Sequence, residues 1–274
     1  MFDIIYANLY KPAMSFPYDN SAYPFVTSPV QVVPLLRNDI SRAVMLREPE
    51  WESDLQIIQN GIHFAETPPQ DLRHKKLMHN REQTGPMTEE RIRREAEMLG
   101  VHIDEQALAL MTAHCNYLRE QFIAYFRELT GDHEREIYGR LFFNPIGGQG
   151  IAPLMHVDDR EIVLHSTFKG ASLSIHTGGD LPEYLWMRMD KNLFEPFMMS
   201  EYERRAHLSS LRHSSETYAG EFSHSALGDA VIMRGQRGRN LLDPDVSRTV
   251  CVHSSSPNIA REGQAAVAFY PKMV

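Results

Sequence analysis

Leu154-Met-His-Val-Asp158 and, far downstream, Val250-Cys-Val-His-Ser254 together spell His-x-Asp…His, and the reading of these two stretches decides the fold. In extended backbone, residues i and i+2 point to the same side. His156 and Asp158 can therefore reach one ion while Val157 packs the other way, and a third ligand need only be close in space. His253 is the candidate. On a strand through it, Thr249, Cys251 and His253 share one face and Val250 and Val252 the other. Alternation alone leaves open whether that histidine faces the interior or water. Two imidazoles and one carboxylate on one side of a metal leave its other positions open to further ligands.

Outward from this pair, the chain beyond about Arg135 reads as strands. Ile162 and Leu164 alternate with Val163 and His165, and Leu173 and Ile175 with Ser172 and Ser174. Val231-Ile-Met233 and Ala265-Ala-Val-Ala-Phe-Tyr270 are short apolar runs of the strand kind. Turn signals stand at Gly147-Gly-Gln-Gly150, Gly178-Gly-Asp180, Gly228-Asp229, Gly235-Gln-Arg-Gly238 and Arg261-Glu-Gly263. Roughly seven or eight strands punctuated in this way predict an antiparallel, jelly-roll-like pair of sheets. An insertion from Trp186 to Ser223, rich in methionine and aromatic residues, is expected to hold a helix. Packing on the sheet is its preferred role, with a lid beside the site as the alternative.

Upstream the periodicity is helical. Ser53–Gly61 suits one short helix, with Leu55, Ile57 and Ile58 ahead of a glycine. Thr88 can cap a helix through Glu89-Glu-Arg-Ile-Arg-Arg-Glu-Ala-Glu-Met-Leu99, with acids in its first turn and Gly100 as its stop. A longer helix follows from Asp104, a plausible cap. Leu108, Met111, Cys115, Leu118, Phe122, Tyr125 and Leu129 recur at steps of three and four before Gly131, which is a core stripe. The first eighty or so residues, rich in Pro, Tyr, Asn and Ser, form an ordered but irregular arm, and the polar segment from His74 to Pro86 reads as a mobile loop. The layout is α+β. An N-terminal arm and helical region over 1–134 precedes a strand-rich core over 135–274 with an insertion at about 186–223, all in one integrated domain with the helices packed outside.

Composition narrows the partners. A 274-residue chain can bury a sizeable core. Its formal charge of -8 and pI near 5.9 argue against generic binding to nucleic acid or anionic membrane, leaving a small-molecule or protein substrate as the expectation, of which a small molecule is preferred. No run reaches membrane-spanning length and the N-terminus lacks a signal-peptide pattern, so a cytoplasmic protein is expected. Cys115 and Cys251 are too few for a disulfide framework and read as buried, reduced thiols.

The order of motifs resembles the double-stranded β-helix, a jelly-roll or cupin-like core, of the Fe(II)/2-oxoglutarate-dependent oxygenases, over roughly residues 140–272. There His-x-Asp lies on an early strand and the distal histidine on a late one. The chain is also similar to an uncharacterised bacterial family through His156-Val-Asp158, Phe168-Lys-Gly170, Gly228-Asp-Ala-Val-Ile-Met-Arg-Gly235 and Val252-His-Ser-Ser-Ser-Pro257. The resemblance implies Fe(II) held by His156, Asp158 and His253 as the catalytic centre. It implies 2-oxoglutarate as cosubstrate and hydroxylation or related oxidation of a small molecule. A carboxylate at Asp158 occupies the position that halogenases leave to chloride, which favours hydroxylation.

The resemblance also implies a cation for the distal carboxylate of the cosubstrate, a role that suits arginine. Many relatives place it shortly beyond the distal histidine, where this chain has Gln264 and Ala265. Arg261 is the first candidate and Lys169 the second, whereas Arg248 lies an odd number of residues before His253 and should point away from it.

Other motifs have plainer readings. Asp159 and Arg160 form a solvated turn, although Asp159 could orient a ligand imidazole. His165 and His176 are packing residues, and His224 is an alternative third ligand. Gly147-Gly-Gln-Gly150 is a turn without the lysine of a phosphate loop, Ser254-Ser-Ser256 lacks nucleophile-elbow glycines, and Gly235-Gln-Arg-Gly-Arg-Asn240 is a basic hairpin. Two readings outside the oxygenases stay open. One is a cupin-like metal-binding protein without turnover; the other is a jelly roll without metal, in which His156 and Asp158 are a hydrogen-bonded pair.

Overall fold

A computed structural model describes residues 22–37, 41–66, 83–147, 156–177, 222–236, 250–256 and 258–273. The arm before residue 22, most of the polar segment from His74, most of the Trp186–Ser223 insertion and the glycine turns at 148–150, 178–180 and 237–240 lie outside the described residues.

The helices follow from their caps and stripes. After a short α1 (Val32–Arg37), α2 covers Glu52–Gly61, α3 covers Glu89–Met98 and α4 covers Glu105–Thr130. Thr88 Oγ1 accepts the Arg91 N–H at 3.2 Å, and Glu89 and Glu90 occupy the first turn of α3. Asp104 stands at the N-cap of α4 without a side-chain cap bond; its carboxylate lies 3.2 Å from His63 Nε2 instead. Gly131, at φ 72°, closes α4 by donating its N–H to the Arg127 carbonyl, a left-handed cap that glycine takes without Cβ strain. Of the α4 stripe, Leu108 through Tyr125 are buried and Leu129 partly so.

The helices pack on a seven-stranded sheet. Its order is β1 (Phe25–Val26), β2 (Ala43–Leu46), β10 (Ala230–Arg234), β7 (Ile162–Gly170), β12 (Gln264–Pro271), β6 (Ile137–Asn144) and β4 (Gln83–Thr84). Every pair is antiparallel except β1 with β2. A second sheet of three strands runs β11 (His253–Ser255), β8 (Leu173–His176), β9 (Phe222–His224), and β3 (Ile62–Phe64) pairs with β5 (Val101–Ile103). Residues before 85 thus supply three strands to the large sheet, where the sequence suggested only an arm and a helix. Two of these strands are two residues long, below the length at which alternation is visible.

Alternation along the long strands separates two cores. Leu141, Phe143, Leu164, Val267 and Phe269 face the helices and join Leu118, Phe122 and Phe126 of α4 in one cluster. Each large side chain removed from water there contributes about 1.5–3 kcal/mol. Met45, Val163, Val231, Met233, Ala268 and Tyr270 face the other way and join Leu173, Ile175 and Cys251 in a second cluster, contributed by both sheets. Cys115 and Cys251 are both free and buried. Among the described residues no helix is long and apolar enough to cross a membrane.

Candidate metal centre

His156 and His253 sit opposite each other as an isolated antiparallel bridge. They exchange both backbone bonds, His156 N–H to the His253 carbonyl at 2.9 Å and His253 N–H to the His156 carbonyl at 3.0 Å. Directly opposed residues carry their side chains on the same face, and the two rings lie with centroids 4.3 Å apart. Val157 is fully buried and turns away, which brings Asp158 back to the side of His156. Asp158 is fixed from behind. Its carbonyl accepts Gln236 N–H at 3.0 Å, and the Glu161 carbonyl accepts Gly235 N–H at 3.0 Å.

The donor atoms of His156, Asp158 and His253 all lie within 4.8 Å of one another. His253 Nε2 is 3.3 Å from Asp158 Oδ2, and His156 Nε2 is 3.9 Å from Asp158 Oδ1. Metal–ligand bonds of about 2.1 Å place neighbouring donors about 3 Å apart, so small side-chain rotations suffice. His253 Nδ1 lies 3.3 Å from the Cys251 carbonyl; donating its proton there leaves the Nε2 lone pair for a metal. Burial pushes the His253 imidazole down to about 4, with Asp158 opposing and His156 adding to the shift. A neutral ring is the form that binds a metal. Two nitrogens and one oxygen on one side of an ion suit Fe(II).

These groups line a cleft of about 380 Å³, with Arg140, Phe142, Asp159, Arg160, His165 and Tyr270 among its other walls. That size is typical for a small ligand. His165 is buried, its Nδ1 finds no hydrogen-bond partner, and burial pushes it down to about 4. The guanidinium of Arg160 lies 5.3 Å from the Tyr270 ring centre and donates to the Asp159 carbonyl at 3.1 Å.

The two cations anticipated for a cosubstrate carboxylate lie elsewhere. Arg261 is on α5 (Ile259–Glu262), 75% exposed, and paired with Glu262 at 2.6 Å. Lys169 donates to the Ile62 carbonyl beside the helices. Its direction has a clear cause: the β7–β12 register shifts between Ala265 and Ala266, and such a bulge reverses the facing of the residues beyond it. Lys169 is paired with Ala265, which belongs to the helix-side core. His224 lies 3.1 Å from Ser174 Oγ through its Nδ1 and is outside the His/Asp cluster. The strand that carries His253 begins at that residue, so Val250, Cys251 and Val252, expected on the same strand, precede it, and all three are buried.

Arg140, Arg160 and His165 were missed as cleft residues. Arg140 had a legible signal, a charge within the otherwise apolar Ile137-Tyr-Gly-Arg-Leu-Phe-Phe143. His165 had none, because its alternation is that of any inward-facing strand residue.

No protein-family model matches the sequence, and no curated protein matches it. Among solved structures, the chain is similar to a Kdo hydroxylase described as a non-haem Fe(II) alphaketoglutarate-dependent dioxygenase, in complex with cobalt(II). That match has 12% identity, TM-score 0.43, and covers 91% of this chain and 88% of the other. A prolyl-4-hydroxylase from Pseudomonas putida matches at 9% identity, TM-score 0.41, covering 90% and 95%. A dioxygenase for auxin oxidation in rice matches at 9% identity, TM-score 0.38, covering 88% and 77%. Likenesses of this degree decide nothing about the reaction.

Proposed function

We propose that the protein is a mononuclear non-haem Fe(II) oxygenase that uses 2-oxoglutarate to hydroxylate or otherwise oxidise a small molecule. The observation that carries the reading is the convergence of His156, Asp158 and His253 on one side of a cleft of about 380 Å³. Two imidazoles and a carboxylate would hold Fe(II) beside the cleft. Bound iron would supply oxygen activation coupled to conversion of 2-oxoglutarate into succinate and carbon dioxide. The chain contributes binding and orientation. The Cys251 carbonyl, 3.3 Å from His253 Nδ1, is placed to accept that nitrogen's proton and leave Nε2 for the metal, and the Gln236 N–H and the close approach of Gly235 fix the backbone of the turn that carries Asp158. Phe142, Leu173 and Met233 give the cleft apolar walls that limit water.

The same reading covers the architecture. The order β10-β7-β12-β6 in one sheet and β11-β8-β9 in the other, with His156 bridging to the edge strand β11, supports a double-stranded β-helix with the helices outside. Shared packing of α4 with β6, β7 and β12 supports one integrated domain. Two free, buried cysteines support a cytoplasmic setting.

The test is anaerobic addition of Fe(II) and 2-oxoglutarate to the purified protein, followed by admission of oxygen. A weak charge-transfer absorbance, and then succinate, are expected. Folded protein that binds metal but yields neither would transfer the assignment to a metal-binding protein without turnover.

A further inference from the structure

We infer that Arg140, on β6, seats the distal carboxylate of the cosubstrate; this rests on the reading of the cleft as a 2-oxoglutarate site. Arg140 pairs across the sheet with Ala268, and Ala268 pairs on its other side with His165. The three residues form one row over the large sheet, and all three line the cleft. The row spans two strand spacings, roughly 10 Å. Its far end adjoins the metal centre, since His165 lines the same cleft as His156, Asp158 and His253. Its middle residue offers only a methyl group. Between a long cation and the histidine there is therefore room above Ala268 for a short, extended dicarboxylate.

The arginine is built into this position. Its guanidinium carbon lies 5.2 Å from the centre of the Phe142 ring, and that ring stands 5.9 Å from the His165 ring, so an aromatic wall runs beside the row. Its Nε is buried without a hydrogen-bond partner, and no carboxylate among the described residues pairs with it. A buried guanidinium N–H without an acceptor is costly, and a bidentate carboxylate is the ligand that satisfies it. Arg160 shares the buried, unpartnered Nε but lies outside the row, against Tyr270, with its Nη1 already donating to the Asp159 carbonyl. Arg261 and Lys169 do not line the cleft.

The experiment measures equilibrium binding, by calorimetry, to protein loaded with Co(II) in place of Fe(II). Wild type, Arg140→Gln, Arg140→Lys and Arg160→Gln are each titrated with 2-oxoglutarate and with 2-oxobutyrate, which keeps the 2-oxo acid end but lacks the distal carboxylate. Loss of a charged hydrogen-bond pair should weaken 2-oxoglutarate binding about 10- to 100-fold in Arg140→Gln, with partial recovery in Arg140→Lys. Binding of 2-oxobutyrate and of Co(II) should be unchanged by either, and Arg160→Gln should stay within threefold of wild type for 2-oxoglutarate. The inference is overturned if Arg140→Gln binds 2-oxoglutarate as wild type does, if it loses 2-oxobutyrate equally, or if Arg160→Gln carries the loss. Wild type that binds Co(II) but no 2-oxoglutarate overturns the cosubstrate reading itself, and this inference with it.

Discussion

Replacing Gly235 by alanine tests whether the position of Asp158 is set by close packing behind it. A Cβ at Gly235 would stand 2.0 Å from the Arg160 carbonyl oxygen and 2.6 Å from that of Asp158. Both obstacles are backbone, so no side chain can swing aside. Ordinary contact begins near 3.4 Å, and the turn from Asp158 to Arg160 must therefore withdraw by about 1.4 Å, or β10 must yield by as much. The Asp158 carboxylate now lies 3.3 Å from His253 Nε2. A displacement of that size exceeds the ±0.2 Å or so that metal–ligand bonds tolerate. Affinity for Fe(II) or Co(II) should fall about 10- to 100-fold, the range for losing a group that orients a ligand. Overpacking should cost about 1–3 kcal/mol of stability, so the fold survives. Calorimetric titration of the apo variant with Co(II), with urea unfolding as the control, measures both. A Co(II) affinity within twofold of wild type would refute the reasoning that the Gly235 contact positions Asp158.

Three further outcomes are expected. Saturating Co(II) at 100 times its Kd should stabilise the apo protein by about 2.7 kcal/mol, and His253→Ala should abolish that shift in a thermal unfolding experiment; a retained shift would place the metal elsewhere. Arg47→Ala leaves the fully buried Asp229 carboxylate without its 2.7 Å partner. The loss should be about 3 kcal/mol, the low end for a broken buried pair because Arg47 is itself 43% exposed, and a urea-derived change below about 0.5 kcal/mol would contradict it. His114 is buried between Trp51 and Phe168 with neither ring nitrogen partnered, and burial holds it down to about 4 against an ordinary 6.5. The folded state then binds fewer protons than the unfolded one. Its contribution is intact above pH 6.5 and is lost as pH falls toward 4, by up to about 3 kcal/mol. His114→Leu should flatten that part of the stability profile, and an unchanged slope would count against it.

How much of this was legible depends on the range of the interaction. Thr88, Gly131 and the α4 stripe could be read because capping and 3.6-residue periodicity act within a few residues, and the structure retains them. Asp104 shows the limit: it occupies the predicted cap position, yet a side chain from a distant strand, His63, engages its carboxylate. Lys169 failed as a cleft residue through one bulge, which reversed its facing, and local alternation carries no signal that Phe168 of the same strand stands without a paired partner in β12. Arg140 shows locally only as a charge in an apolar strand, and it is the pairing of β6 with β12 that carries it to the cleft.

From the sequence alone came the mixed helix-and-strand character, the helices α2, α3 and α4, and the three candidate ligands His156, Asp158 and His253, since each depends on local patterning or on residue chemistry. Tertiary structure alone decided that those ligands converge, through a two-bond bridge between residues distant along the chain, and that Arg140 and His165 share their cleft while Lys169 and Arg261 do not. Register and facing between strands are set by pairing partners and bulges, and neither is written in the residues of any one strand.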